Sequence, residues 1–375
     1  MRKNILISTT RQWNPGDEFI MQGALNIMDE IMGKNYNPII FNRNPDVRGG
    51  AKFRNLTRKY SFTYKWDSCS FKGKGGLHEL FRIGHYDNSW KDDMNPNNID
   101  IALFAGSPEW YGTRLRQMFQ VIDANNIPTF FLGLGAGDSV NFKDSDSIVH
   151  RVLRSAKLIT TRDQSTENLL HEYGAIYIPC PALLAAGTNR IVKDVREIGL
   201  IYATDKTLKG NNVSTEMHKY ILSLYPELMK RYHCSLVCHY IDELDQARKE
   251  FPDVEIYYSY DSKDYSEIYN NFDLVVGGRV HGIGMSASLG IPGIMIKHDS
   301  RSSTTDGFLA ESVAVGTEIQ EVIRLIDKQS LRIEEYSAKL IEHKNNVMTQ
   351  YIDLFKAKAS DLFFTNEANS ENICK

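Results

Sequence analysis

The amino-acid sequence predicts an α/β protein of two domains, each built on a parallel sheet with helices on both faces. Apolar runs rich in β-branched residues alternate with helical stretches, which is typical of such sheets. The alternation restarts after residues 179–181. In addition, the 375 residues exceed the size at which a single hydrophobic core usually stops growing.

The strands and helices follow from this alternation. In the first half, apolar runs predict strands at residues 3–8, 38–41, 99–105, 128–134, 158–161 and 175–178. Helices are predicted between them at residues 17–32, 112–125, 144–156 and 163–173. Strands of the second half are predicted at 198–203, 235–240, 254–258, 273–277 and 293–297, followed by helices from about residue 317. We therefore predict domains over residues 1–190 and 191–375, with the boundary near 183–195.

Residues 48–98 interrupt the alternation. This segment holds ten Lys or Arg against five Asp or Glu, with aromatic residues between them. Long irregular insertions often carry function, and a basic, aromatic one suits a sugar or a nucleotide diphosphate. A solvated insertion without a catalytic role remains an equal alternative.

Composition limits the classes of function. A formal charge of −3 gives no general attraction for nucleic acid or an anionic membrane. No stretch approaches the roughly 18 apolar residues that span a bilayer, so membrane contact is expected to be peripheral at most. Five scattered cysteines do not make a disulfide framework and favour the cytoplasm.

The segment Gly277–Gly282 is the strongest candidate for chemistry. A predicted strand runs into Gly278, Arg279 and His281, and Gly282 begins a helix rich in small residues. Ligands of open α/β sheets bind at such strand ends, and the free N–H groups of a helix start favour anions. Arg279 could clamp a phosphate or carboxylate, and His281 could act as an acid or a base. The structural alternative is a capped helix start with a surface ion pair.

Two more segments follow predicted strands of the first half. Asn14, Gly16 and Asp17 open the first predicted helix, where Gly16 permits a tight turn and Asp17 is a plausible N-cap. Capping alone would also explain Asp17. Gly135 and Gly137 belong to a glycine-rich run that could approach a ligand, although the run lacks the complete dinucleotide fingerprint.

Other polar groups have structural explanations. The cysteines and histidines of residues 233–239 alternate across a predicted strand, so we predict no metal site there. Cys180 lies between two prolines and is expected to pack in the core. Asp242, Glu243 and Asp245 are expected to form a capped, solvated helix start.

Taken in order, these segments resemble the polysaccharide pyruvyl transferase family over most of the chain. The resemblance is carried by residues 14–18, 133–137, 161–165 with Leu169 and Gly174, and 279–301. The last block is the most specific, because it joins Arg-x-His-Gly to Gly290-Ile291-Pro292 and a final strand leading to Arg301.

The resemblance implies a fold of two Rossmann-like halves of the GT-B type with the active site between them. It implies transfer of a pyruvyl group from phosphoenolpyruvate to a sugar of a surface-polysaccharide precursor, forming a ketal without a further cofactor. The acceptor would be a lipid-linked or nucleotide-linked sugar held on the N-terminal side, with the donor on the C-terminal side. Arg279 would contact the donor anion, His281 would act as acid or base, and Arg162 or Arg301 would add a second cation.

The sequence differs from the family pattern at Ala105–Pro108, at Cys180 and at Arg301, where a Lys is frequent. Two alternatives of other classes stay open: a GT-B glycosyltransferase that uses a nucleotide sugar, and a family member that binds a sugar or an anion without catalysis. The sequence identifies neither the acceptor sugar, nor the stereochemistry of the ketal, nor the oligomeric state.

Overall fold

The computed structural model describes residues 2–9, 14–42, 95–106, 110, 115–136, 147–206, 213–259 and 261–363. These residues form two parallel sheets that are flanked by helices, which confirms the predicted α/β, GT-B-like fold class. The basic and aromatic part of the predicted insertion, residues 48–94, lies outside the described residues.

The first sheet has the strand order β2-β1-β3-β4-β5-β6 and is parallel at every described pairing. Its strands are β1 (Lys3–Thr9), β2 (Tyr36–Asn42), β3 (Ile101–Ala105), β4 (Thr129–Leu134), β5 (Leu158–Thr161) and β6 (Ile176–Tyr177). Its helices are α1 (Pro15–Met32), α2 (Arg116–Asn125), α3 (Ser147–Ser155) and α4 (Gln164–Leu170).

The second sheet has the order β12-β11-β10-β7-β8-β9 and is also parallel. Its strands are β7 (Ile198–Ile201), β8 (Cys234–Val237), β9 (Ile256–Tyr257), β10 (Leu274–Gly277), β11 (Gly293–Lys297) and β12 (Glu311–Ala314). The helices of this half are α5 (Thr215–Arg231), α6 (Ile241–Glu250), α7 (Tyr265–Tyr269), α8 (Val280–Ser288), α9 (Ile319–Ser330) and α10 (Ile333–Phe363). A 3₁₀ segment, Ser300–Phe308, joins β11 to β12.

Helix α1 begins earlier than predicted. Asn14 caps it, because its side-chain oxygen accepts a hydrogen bond from the Gly16 N–H at 3.0 Å. Asp17 was therefore the wrong choice of N-cap, and it lies buried in the first turn instead. Pro15 occupies the first helical turn, and Gly33 ends the helix in a left-handed conformation with φ +59°.

The same hydrophobic cluster runs through both halves. It joins one face of the first sheet to α1, to the 3₁₀ segment Pro181–Leu184 and to the second sheet. A second cluster covers the other face of the first sheet. The division near residue 190 therefore stays a prediction about domains, although the last strand of the first sheet and the first strand of the second do lie on either side of it.

Helix α10 connects the two halves a second time. Lys344 donates hydrogen bonds to the carbonyls of Ala186 and Ser288, both at 2.7 Å. Further along α10, the ring of Phe355 stacks on Phe130 of β4 with centroids 5.1 Å apart. None of the helices that the structure describes has the length and apolar character needed to cross a bilayer.

The carboxyl ends of the strands position the site. In each sheet the strand order reverses, between β1 and β3 in the first and between β7 and β10 in the second. Ligands of open α/β sheets bind outside the strand ends at such reversals. Asn14 and Gly16 lie shortly after β1, and Arg279 and His281 directly after β10, so both reversals supply predicted site residues.

Candidate active site

His281 lies where the start of α8 meets the start of α1. A methyl group placed on Gly16 would lie 2.7 Å from His281 Nδ1 and 3.0 Å from its Cβ. Contacts this short are not tolerated by real Cβ atoms, so the first turn of α1 can approach the imidazole only because residue 16 is glycine. The structure thus brings together two segments that are far apart in the sequence.

Arg162, at the end of β5, also reaches His281 from the first half. Its Nη1 lies 3.1 Å from His281 Nε2, and only 1% of the residue is exposed. The guanidinium lies over Gly135, where an added Cβ would be 2.2 Å from Nε. Arg162 and Gly135 therefore form one unit that presents a cation to the imidazole.

The charges around His281 keep its imidazole neutral. Burial lowers its pKa well below the usual range, and the positive charges of Arg162 and Arg301 lower it further. A guanidinium has no acceptor, so Nε2 accepts from Arg162 and the ring proton lies on Nδ1. His281 is thus a neutral imidazole under the positive charges of Arg162 and Arg301.

Arg279 is more enclosed than we expected for a residue that would clamp an anion. Its side chain is 10% exposed and forms an ion pair with Glu243. The guanidinium lies over the ring of Tyr240, with Cζ 4.6 Å from the centroid. Burial alone would lower the pKa of Arg279, but Glu243 and Tyr240 are the main groups that oppose it, and the pKa is raised.

Glu243 is the functional candidate that the sequence argument missed. We expected a solvated helix start, but its side chain is fully buried in the first turn of α6. Its Oε2 accepts the backbone N–H groups of His239 at 2.9 Å and Tyr240 at 3.0 Å. A Glu at the third helical position signals such a cap when Ser or Thr precedes the helix, but Tyr240 precedes this one.

Arg301 is the second residue of the 3₁₀ segment after β11. Its Nε donates to Asp299 at 2.9 Å and its backbone N–H donates to the same carboxylate at 3.0 Å. Burial would raise the pKa of Asp299, but these contacts with Arg301 lower it. The neighbouring His298 lies 3.0 Å from the Gly278 carbonyl through Nε2, which fixes the backbone before Arg279.

The glycines of the α8 start are closely packed by neighbouring side chains. A Cβ on Gly278 would lie 2.3 Å from Met217, and one on Gly282 would lie 2.5 Å from the Tyr269 hydroxyl. Both glycines therefore shape the backbone of the site. Gly137, which we also predicted for the cleft, lies outside the described residues.

Cys180 does not take part in this chemistry. It is completely buried, and burial raises the pKa of its thiol to about 11. A thiol with so high a pKa is a poor nucleophile near neutral pH. The predicted packing role of Cys180 agrees with this position.

Residues 14–300 match the family model described as polysaccharide pyruvyl transferase. The chain belongs to this family. The family is one of transferases, and the matched span contains the predicted site residues except Arg301, which follows directly after it. A comparison with curated protein sequences gave no significant match.

Solved structures that resemble this polysaccharide pyruvyl transferase family member share its fold at low identity. A protein from Listeria monocytogenes, assigned as a UDP-N-acetylglucosamine 2-epimerase, has a TM-score of 0.54 and 11% identity, over 90% of this chain and 91% of its own. MnaA from S. aureus, solved with UDP, has a TM-score of 0.51 and 13% identity, over 94% and 98%. The UDP-GlcNAc 2-epimerase from Neisseria meningitidis, bound to UDP-GlcNAc, has a TM-score of 0.51 and 12% identity, over 94% and 100%.

Proposed function

We propose that this family member transfers a pyruvyl group from phosphoenolpyruvate to two hydroxyls of a sugar, forming a cyclic ketal on a surface-polysaccharide precursor. One observation carries the proposal: a neutral His281 lies at a helix start, hydrogen-bonded to Arg162 and under the charge of Arg301. Phosphoenolpyruvate carries a phosphate and a carboxylate, which match two guanidinium groups and free helix N–H groups.

The charges suggest how proton transfer begins. When the donor phosphate accepts the hydrogen bonds of Arg162, Nε2 of His281 loses the hydrogen bond from that guanidinium. Nε2 is then free to accept a proton. A sugar hydroxyl then gives its proton to Nε2 while its oxygen bonds to the central carbon of the donor. We therefore propose His281 as the general base, because its lowered pKa keeps the imidazole in the deprotonated form that a base requires.

The remaining steps release phosphate and close the ketal. The proton taken up by Nε2 passes to the methylene carbon of the donor, which becomes a methyl group, and the bond from the central carbon to the phosphate oxygen then breaks. The second sugar hydroxyl then bonds to that carbon and gives up its proton, which leaves with the phosphate. Two hydroxyl protons are released, one to carbon and one to phosphate.

We propose a lipid-linked or nucleotide-linked sugar as the acceptor. Proteins of this fold have been solved with UDP and with UDP-GlcNAc, which supports a nucleotide-linked sugar as one form of the acceptor. We also propose a cytoplasmic location, since the three cysteines in the described part of the chain are free thiols.

Phosphate release from phosphoenolpyruvate tests the donor. The full chain is incubated with phosphoenolpyruvate and lipid-linked or nucleotide-linked sugars, and inorganic phosphate and the mass of the product are measured. We expect phosphate release that depends on the acceptor, and a product heavier by a ketal-bound pyruvate. Sugar transfer from a nucleotide sugar, with phosphoenolpyruvate left intact, would instead identify a glycosyltransferase, and binding without any turnover would identify a non-catalytic member.

His281→Ala tests the base. We expect kcat to fall by about 10²- to 10⁴-fold, the usual contribution of general acid–base catalysis, while phosphoenolpyruvate still binds. His233→Ala is the matched control, because His233 is 82% exposed and pairs with Glu197 away from this site. Unchanged turnover in His281→Ala would remove the catalytic assignment.

A further inference from the structure

The carboxylate of Glu243 is fully buried and both of its oxygens have partners. Oε2 accepts two backbone N–H groups, from His239 and Tyr240, and Oε1 pairs with Arg279. A buried carboxylate is unfavourable unless charge and hydrogen bonds compensate it. The turn from β8 to α6 therefore holds this carboxylate at a set orientation toward Arg279.

Arg279 is held on two sides by this turn. Glu243 binds one Nη atom, and the ring of Tyr240 lies under the guanidinium plane at 4.6 Å. Among the described residues, its Nε has no hydrogen-bond partner. The side chain thus has one orientation and retains donor groups that its structural partners do not use.

The backbone of Arg279 starts the helix that carries His281. Its carbonyl accepts hydrogen bonds from the N–H groups of Gly282 at 3.0 Å and Ile283 at 3.2 Å. Arg279 is therefore both the partner of Glu243 and the residue on whose carbonyl the first turn of α8 begins. Through Arg279, Glu243 is connected to the start of the helix that carries His281.

The ion pair of Glu243 and Arg279 adds little net charge to the site. The negative charge of Glu243 cancels the positive charge of Arg279 at close range. Arg162 and Arg301, one from each half, are the cations whose charges act on His281. The net charge of Arg279 then adds little to donor binding, and its contribution to turnover is the direction of its N–H groups.

We propose that Glu243 is a positioning residue of the active site, which orients Arg279 and the start of α8 without contacting the donor. The proposal rests on the proposed function, since it assigns a role in that same site. It predicts that loss of the Glu243 charge harms turnover more than anion binding.

Glu243→Gln tests this prediction, because glutamine keeps the shape and removes the charge. We expect kcat to fall by about 10- to 100-fold, as misplaced catalytic groups typically do, with a KM for phosphoenolpyruvate that is unchanged or lower. Glu250→Gln is the matched control: it lies on the same helix, pairs with His218 and Tyr202, and is expected to leave kcat unchanged. An unchanged kcat in Glu243→Gln, or a raised KM alone, would overturn the proposal.

Binding of inorganic phosphate separates this proposal from the proposed function. By calorimetry, we expect Glu243→Gln to bind phosphate more tightly than the wild type, because one negative charge next to the cleft is gone. Equal or weaker binding overturns the proposal. If the wild type does not turn over phosphoenolpyruvate, the proposed function fails, and phosphate binding still decides whether Glu243 offsets the charge of Arg279.

A second variant covers the case in which Glu243→Gln does not fold. Tyr240→Leu removes the ring under Arg279 and leaves the charges in place. We expect a similar fall of kcat with phosphate affinity within about twofold of the wild type, since orientation changes but charge does not. Wild-type kcat in Tyr240→Leu would contradict the role of Arg279 orientation.

Discussion

The chemical state of His281 is controlled by residues of the first half of the chain. Arg162 occupies Nε2 and, after burial, makes the largest contribution to lowering the pKa of the imidazole. The first turn of α1 closes the other side of the ring at Gly16. A single histidine in the second half thus depends on a strand end and a helix start that come more than a hundred residues earlier in the sequence.

Arg162→Gln should change the pH dependence of turnover. The positive charge of Arg162 disfavours the imidazolium, so its removal raises the pKa of His281. A base works when deprotonated, so the acid limb of the kcat/KM profile should move to higher pH, whatever the loss in absolute activity. The measurement is the full pH–rate profile, with Arg151→Gln on the surface as the control. A limb that stays in place or moves to lower pH would argue against His281 as the titrating base.

The sequence located part of this site and not the rest. Arg279 and His281 could be placed because a strand running into a small-residue helix is a local pattern. Glu243 could not be assigned, because its burial depends on how the β8–α6 turn packs against α8. The local sequence shows which chemical group a side chain carries. Which residue that group contacts depends on the tertiary fold.

Helix α1 links the site to the core between the two sheets. Its first turn contacts His281, and its middle packs against the chain that leaves the first sheet. A Cβ placed on Gly23 would lie 1.7 Å from the carbonyl oxygen of Pro181. The two backbones touch directly at this point, so the position of α1 depends on the absence of one methyl group.

Gly23→Ala should therefore destabilise the protein. In an isolated helix this change stabilises by up to about 1 kcal/mol, but here the methyl group meets backbone that cannot rotate away. We expect the free energy of unfolding to fall by more than about 2 kcal/mol, at the upper range of overpacking. Urea denaturation measures it, with Gly187→Ala as the control, because nothing lies within 4 Å of a Cβ there. A stabilised Gly23→Ala would contradict the close contact.

Most strands follow from local pattern, and the one that was missed has a clear cause. The strand at 158–161 was predicted with the observed ends, and most others are within a few residues of theirs. β12 was missed, because Glu311–Ala314 has only Val313 buried and lacks a run of apolar residues. Its pairing with β11 along the sheet edge makes it a strand.

At the scale of the whole molecule, α10 ties the two halves together. It begins beside the second sheet, and its later turns lie on the first, where Lys3 donates to the Leu362 carbonyl at 2.6 Å. Lys344 lies between these ends and holds the carbonyls of Ala186 and Ser288. The sequence predicted long helices here, but not their return to the first sheet, because that contact spans nearly the whole chain.

Lys344→Met should remove a component of the pH dependence of stability. Burial lowers the pKa of Lys344 from 10.5 to about 8, so between these values the unfolded chain binds more protons than the folded one. The free energy of unfolding of the wild type should then rise, relative to that of Lys344→Met, as the pH rises through this window. Urea denaturation of both proteins across the window measures the difference. A difference independent of pH would show that Lys344 keeps an ordinary pKa.

The contact between Gly16 and His281 also has an evolutionary consequence. Because the imidazole occupies the space of any side chain at position 16, the two positions are expected to change together. Among homologues of this chain, a larger residue at position 16 should occur only where position 281 is no longer histidine and the proposed base is lost. A glycine at the start of the first helix would then serve as a marker of which relatives remain catalysts.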